Sequence, residues 1–131
     1  MNKTLAAQTL AALTVLCGLA AAAPAIAHHS FAMFDMSKTQ TIQGTVSEWQ
    51  WTNPHTFISL AVTGTDGKTV TWPIEGQSPN ILVRQGWNAK ALKVGDKISI
   101  TIHPIKAGTV GGSIISVTAA DGKVLGRPPG A

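Results

Sequence analysis

The chain predicts an all-β domain with one short helix, a small five-stranded OB-like barrel in the order β-β-β-α-β-β behind a signal peptide. Three observations carry that prediction. Short runs of alternating apolar residues recur between residues 41 and 126, with turn signals separating them. One segment after the third run switches to helical spacing. The first run is long and changes its apolar phase part-way, which is the mark of a bulged or strongly coiled strand. A generic small β-sandwich is the alternative that fits the same element order.

The domain does not begin at residue 1. Lys3 supplies a positive start, Leu10 to Ala23 is apolar and alanine-rich, and Ala25-Ile26-Ala27 places small residues where a signal peptidase reads them. Residues 1–27 therefore read as a signal peptide, and the protein as periplasmic or secreted. The apolar run is short for a bilayer span, so a retained anchor is the lesser alternative and no transmembrane anchor is expected after processing. Cys17 follows Thr14-Val15-Leu16, which lacks the small residues of a lipoprotein site.

Removing residues 1–27 takes away the single cysteine, so the fold has to rest on an apolar core and not on disulfides. Of the ten Lys and Arg, nine remain, and they are scattered from Lys38 to Arg127 without forming a run. That spread serves solubility. Nucleic-acid surfaces cluster their basic residues, so no nucleic-acid partner is expected.

Residues 28–40 read as an extended N-terminal arm, pinned by Phe31 and Phe34, and residues 41–126 as the barrel. Thr41 to Trp51 is the first strand. Ile42, Gly44 and Val46 share one face, and after Glu48 the apolar phase passes to Trp49 and Trp51, placing these two opposite the aliphatic row and making them candidates for exposure. Asn53-Pro54 turns the chain, since proline presets its φ and drives the residue before it out of the α region. From His55 to Val62, Thr56, Ile58, Leu60 and Val62 face one way and His55, Phe57, Ser59 and Ala61 the other. Asp66-Gly67 marks a hairpin into a third strand holding Val70, Trp72 and Ile74. Pro73 cannot donate to a ladder, so this strand belongs at an edge or a bulge.

Ser78 is a candidate N-cap with Pro79 at the first helical position, and Gly86 a candidate C-terminal stop. A fourth strand runs from Lys97 to His103, with Ile98, Ile100 and Ile102 in register, and Pro104 closes it. A fifth follows from Ser113 to Ala119. Residues 127–131 read as a flexible tail.

The chain resembles an uncharacterised family of small exported bacterial proteins, a domain of unknown function. The pieces that carry the resemblance are His28-His29-Ser30-Phe31, Trp51-Thr52-Asn53-Pro54-His55, Glu75-Gly76 with Ser78-Pro79-Asn80, Gly86-Trp87, Gly95-Asp96 and His103-Pro104. They span nearly the whole mature chain. The resemblance implies no reaction, ligand or catalytic residue, so function has to come from side chains.

The leading candidate is a metal site of His28, His29, His55 and His103, with copper first. If the signal is cut after Ala27, the amine and ring of His28 chelate one ion together. Met33 and Met36 either add thioether donors for Cu(I) or simply pack. In an OB-type barrel the loops joining strands 1 to 2 and 4 to 5 flank the binding face, so the His55 and His103 corners should lie together. The alternative is a metal-free module for a small molecule or a periplasmic protein, with Trp49, Trp51, Asn53, His55 and Glu75 at the contact. For Trp72 the expectation is a place in the core. An enzyme has the least support, because the six carboxylates are dispersed and no nucleophile sits in a recognisable elbow. No catalytic residue is assigned.

Overall fold

A computed structural model describes residues 30–126. The expected signal peptide at 1–27, the first two residues of the arm, His28 and His29, and the expected tail at 127–131 lie outside the described residues. The strands are β1 (Gln40–Gln50), β2 (Phe57–Thr63), β3 (Thr69–Glu75), β4 (Lys97–Pro104), β5 (Gly112–Ala119) and a short β6 (Val124–Gly126), with the helix α1 (Pro79–Arg84) between β3 and β4. β6 exceeds the expected count by one; Val124 and Leu125 extend the sheet beside β5 after the Gly122 turn.

Strand pairing closes a ring. β1 lies between β2 and β4, β3 pairs with β2, β5 pairs with β4, and a parallel contact of β3 with β5 completes the circuit of five strands. This is the OB-like barrel the element order predicts. The closing contact spans only Ile74 and Glu75 against Gly112 and Ser113. Pro73 falls just outside it, at the point where a missing N–H costs no ladder bond.

β1 is long because it serves both halves of the ring, and a register shift between Val46 and Glu48 lets it bend. Gly44 permits the close approach of β2: a Cβ there would stand 2.6 Å from the carbonyl oxygen of Ala61. The bulge also corrects one expectation. Val46 pairs with Leu60 and, after the extra residue, Trp49 pairs with Ile58, so Trp49 returns to the core side. Trp49 and Trp51, both partly buried, pack against the core, as Trp72 does, and neither is offered up as an exposed platform.

That core is built from Ile42, Val46, Ile58, Leu60, Ile74, Ile98, Ile100, Ile102 and Val117, closed at one end by Leu82, Trp87 and Leu92. α1 starts at Ser78, whose side chain makes no capping bond, and Pro79 supplies the preset first turn. It ends on Gly86 at φ +85°, where Gly86 N–H donates to Val83 O and Trp87 N–H to Leu82 O. This paired closure is a Schellman turn, and it fixes Trp87 beneath the helix.

The arm departs from an extended form. Ser30–Met33 coil into a 3-10 helix, and Phe34 bridges Ile105 beyond the end of β4. Phe34 is buried, whereas Phe31 is half exposed, so one of the two expected aromatic pins holds and the other does not. Among the described residues no helix is long and apolar enough to cross a membrane.

Candidate functional site

The barrel register brings both proline-marked corners to one end. Glu75 on β3 pairs with Ser113 on β5, and Ser113 pairs with His103 on β4. Adjacent strands lie about 4.8 Å apart, so β5 separates the His103 strand from the Glu75 strand by roughly 10 Å in all. His55, just before β2, is fastened to Glu75.

At the first corner, the Asn53–Pro54 peptide is cis and the Thr52 hydroxyl donates to His55 O over 3.1 Å. Thr56 is wholly buried, and its hydroxyl and amide both donate to Gln77 O, while Gly76 N–H donates back to Thr56 O. His55 Nδ1 stands 3.1 Å from the Glu75 carboxylate and 3.2 Å from Gly76 O. A carbonyl oxygen only accepts, so Nδ1 carries the hydrogen and the lone pair of the neutral ring resides on Nε2. Asn53 is exposed at the tip.

At the second corner, His103 Nδ1 donates to Lys38 O at 2.8 Å, which sets the same tautomer. The arm is held there by three more bonds: Asp35 N–H to Pro104 O, Lys106 N–H to Met33 O, and Lys106 Nζ to Ala32 O. Asp35 then organises its own turn. Its carboxylate accepts from the Ser37 hydroxyl at 2.6 Å and meets Lys38 Nζ at 3.1 Å, and these two contacts, the hydroxyl first, hold the Asp35 carboxyl below its ordinary value.

Between arm, helix and strands runs an open cleft of about 460 Å³. Phe31 and Met36 line it from the arm, and Gln77, Leu82, Gln85 and Trp87 from the helix and its flanks. His103, Ser113, Ile114 and Ile115 line it from β4 and β5, and Gly126 from the end of β6. Among the described residues no Asp, Glu, Lys or Arg lines this cleft. Met33 and Met36 are both about half exposed, against the expectation that they pack. The rim carries one polar pair, Gln85 Nε2 donating to Gln77 Oε1.

The tryptophans divide by hydrogen bonding. Trp49 donates its indole N–H to Ala89 O at 3.0 Å and lies 5.5 Å from Trp51 and 5.9 Å from Trp87, ring centre to ring centre. Trp87 is 2% exposed, and its Nε1 has no hydrogen-bond partner among the described residues. An unpaired buried donor costs about 1–3 kcal/mol, so this one calls for an explanation.

Of the residues expected to bind, the structure gathers His55 and Glu75 at one corner and sets His103 at the other. No group of three His, Cys, Asp or Glu side chains converges among the described residues. The expected contact at Trp49 and Trp51 is largely taken up by core packing. Gln77, Gln85 and Ser113 join the cleft without any sequence pattern announcing them; only the Ser78-Pro79 and Gly86 helix signals, which fix the flanks of α1, point toward the two glutamines.

No match is found among curated proteins. Among solved structures the chain is similar to the mitochondrial single-stranded DNA binding protein Rim1 of S. cerevisiae. The identity is 13% and the TM-score 0.49, covering 63% of this chain and 93% of that one. A family model matches residues 16–114, and the chain belongs to that family, the Family of unknown function (DUF6152).

Proposed function

We propose, taking that family membership as the premise, that this chain is an exported protein of the periplasm or the secreted fraction that binds copper stoichiometrically, without turnover. One observation carries the reading: His103 and Met36 line the same cleft, at the place where the arm meets the barrel. The Lys38 carbonyl orients the His103 ring through Nδ1, and a carbonyl behind an imidazole is how metal-bound histidines are commonly aimed and made more basic.

Phe31 of the arm lines this cleft, and His28 and His29 lie three and two residues before it in the sequence. In this reading His28 and His29 are the arm's donors to the ion that His103 holds. Trimming after Ala27 gives His28 a free amine next to its ring, a donor pair that suits Cu(II). The thioethers of Met36 and Met33 suit Cu(I). His55, with Nδ1 toward Glu75, has the carboxylate-backed arrangement of a ligand and is the further donor from the neighbouring corner.

Nucleic acid is a poor fit. β2 and β3, which form much of the outer wall, contain no Lys or Arg, and their outward residues include Phe57, Ser59 and Glu75. Phosphate contacts supply most nucleic-acid affinity, and this wall has no cation to make them.

The test is a copper titration of the correctly processed chain beside a chain with one added N-terminal residue. Loss of Cu(II) affinity on the order of tenfold or more in the extended chain is expected, since ligand changes in metal sites act on that scale. Under reducing conditions M36A should weaken Cu(I) and leave Cu(II) nearly unchanged. Equal Cu(II) affinity for both starts removes the terminal chelate, and full affinity in H103A removes the cleft.

A further inference from the structure

The unpaired indole of Trp87 is independent of copper and points to a second kind of ligand. Its neighbour Trp49 has found a carbonyl; Trp87 has not, although both rings belong to one cluster. The Schellman turn fixes the backbone of Gly86 and Trp87 against Val83 and Leu82, and with it the point from which the indole projects. Buried donors in folded proteins are nearly always paired, and here the exception belongs to a residue lining the cleft.

The rest of the lining narrows what fits. Phe31, Leu82, Ile114 and Ile115 give apolar contact, while Ser113 and the Gln77–Gln85 pair offer uncharged hydrogen-bonding groups. Among the described lining residues there is no Lys, Arg, Asp or Glu, so an organic ion, unlike a metal held by His103 and Met36, would be desolvated there without a fixed counter-ion. The volume lies in the range of small-molecule sites, which are mostly apolar with a few placed polar groups.

We propose that this cleft binds a small, uncharged organic molecule carrying a hydrogen-bond acceptor, with its apolar part against Leu82 and Ile114 and its acceptor taking the Trp87 indole N–H. Nε1 is shielded from water in the present side-chain arrangement, so entry requires a lining side chain to give way. Phe31 and Gln85 are exposed and stand on the rim.

The experiment uses three probes of similar shape: acetophenone, which has a neutral acceptor; ethylbenzene, which has none; and benzoate, which is charged. The full processed chain carries 15N-labelled tryptophan, and W87F identifies the Trp87 indole resonance. Acetophenone is expected to move that resonance downfield and to bind about three- to tenfold tighter than ethylbenzene, the worth of one hydrogen bond. Benzoate should bind most weakly. W87F is expected to fold with an unchanged or higher unfolding midpoint, because it deletes an unpaired donor, and to lose the preference for ketone over hydrocarbon.

An unmoved Trp87 resonance at the solubility limit of acetophenone overturns the proposal, as does a ketone preference that survives in W87F or a tighter hold on benzoate. Should W87F not fold, W49F, W51F and W72F identify the resonance by elimination and the wild-type shift decides. The N-terminally extended chain separates this inference from the copper reading: it should keep the ketone response whatever it does to Cu(II).

Discussion

The two histidine corners share a tautomer and differ in what the imidazole secures. His55 Nδ1 faces the Glu75 carboxylate and the Gly76 carbonyl, between the entry to β2 and the exit of β3. His103 Nδ1 holds a single carbonyl, that of Lys38 in the arm. Around His55 the partners are part-buried, and the wholly buried Thr56 doubles the bond to Gln77 O. Around His103 they belong to a half-exposed segment. The first corner thus joins two strands of the barrel, and the second is fastened to the arm. The polar groups of the first corner tie strands together, while the second orients its ring beside the cleft.

Four substitutions press on that difference. The largest effect is expected from Gly76→Ala. A Cβ at Gly76 runs into the Thr56 hydroxyl, which is buried and already engaged, so either the hydroxyl or the β2–β3 backbone has to move. Overpacking of this kind costs about 1–3 kcal/mol. For a domain of this size that lowers the thermal midpoint on the order of 10 °C. An unchanged midpoint would show that the first corner is looser than its bonds suggest.

A smaller contrast is expected between His55→Ala and His103→Ala in urea. Removing His55 strips the donor from a carboxylate that is only 17% exposed and from a carbonyl, at about 1–2 kcal/mol. Removing His103 deletes one bond to a more exposed carbonyl and should cost less than half as much, while affecting copper more. The reverse order of midpoints would dissolve the distinction between the corners.

The smallest effect concerns acid. The Asp35 carboxyl is held below its ordinary value of 3.8 in the folded chain, by the Ser37 hydroxyl and then by Lys38. A carboxyl depressed on folding adds stability that is complete above its unfolded value and fades as pH falls through the lowered folded value. Because Asp35 organises only its own turn in the arm, the effect should be local: amide protection at Ser37 and Lys38 should fall below pH 4, and Asp35→Asn should abolish that acid dependence. Global unfolding in the same window would mean that the arm is more central than its packing indicates.

Much of the fold was legible from short-range pattern. Ile98, Ile100 and Ile102 announce β4 by alternation, Asp66-Gly67 announces the β2–β3 hairpin, and Ser78-Pro79 with Gly86 brackets α1. Pro73 correctly marked the strand with an incomplete neighbour. The site was legible only in part. His55 and Glu75 do meet, and the phase change announces a bulge in β1, but only the register, Val46 with Leu60 and Trp49 with Ile58, shows that the bulge returns Trp49 to the core side.

Sequence alone determined the element order, the turns, the absence of cysteine from the barrel and the family, because each is encoded in neighbouring residues or in composition. Tertiary structure alone decided which corner is braced and which is open. It also decided that Phe31, Gln77, Trp87, His103 and Ser113 share one cleft. Those residues lie far apart along the chain, and only ring closure by β3 and β5, with α1 laid across the barrel end, brings them within reach of one ligand.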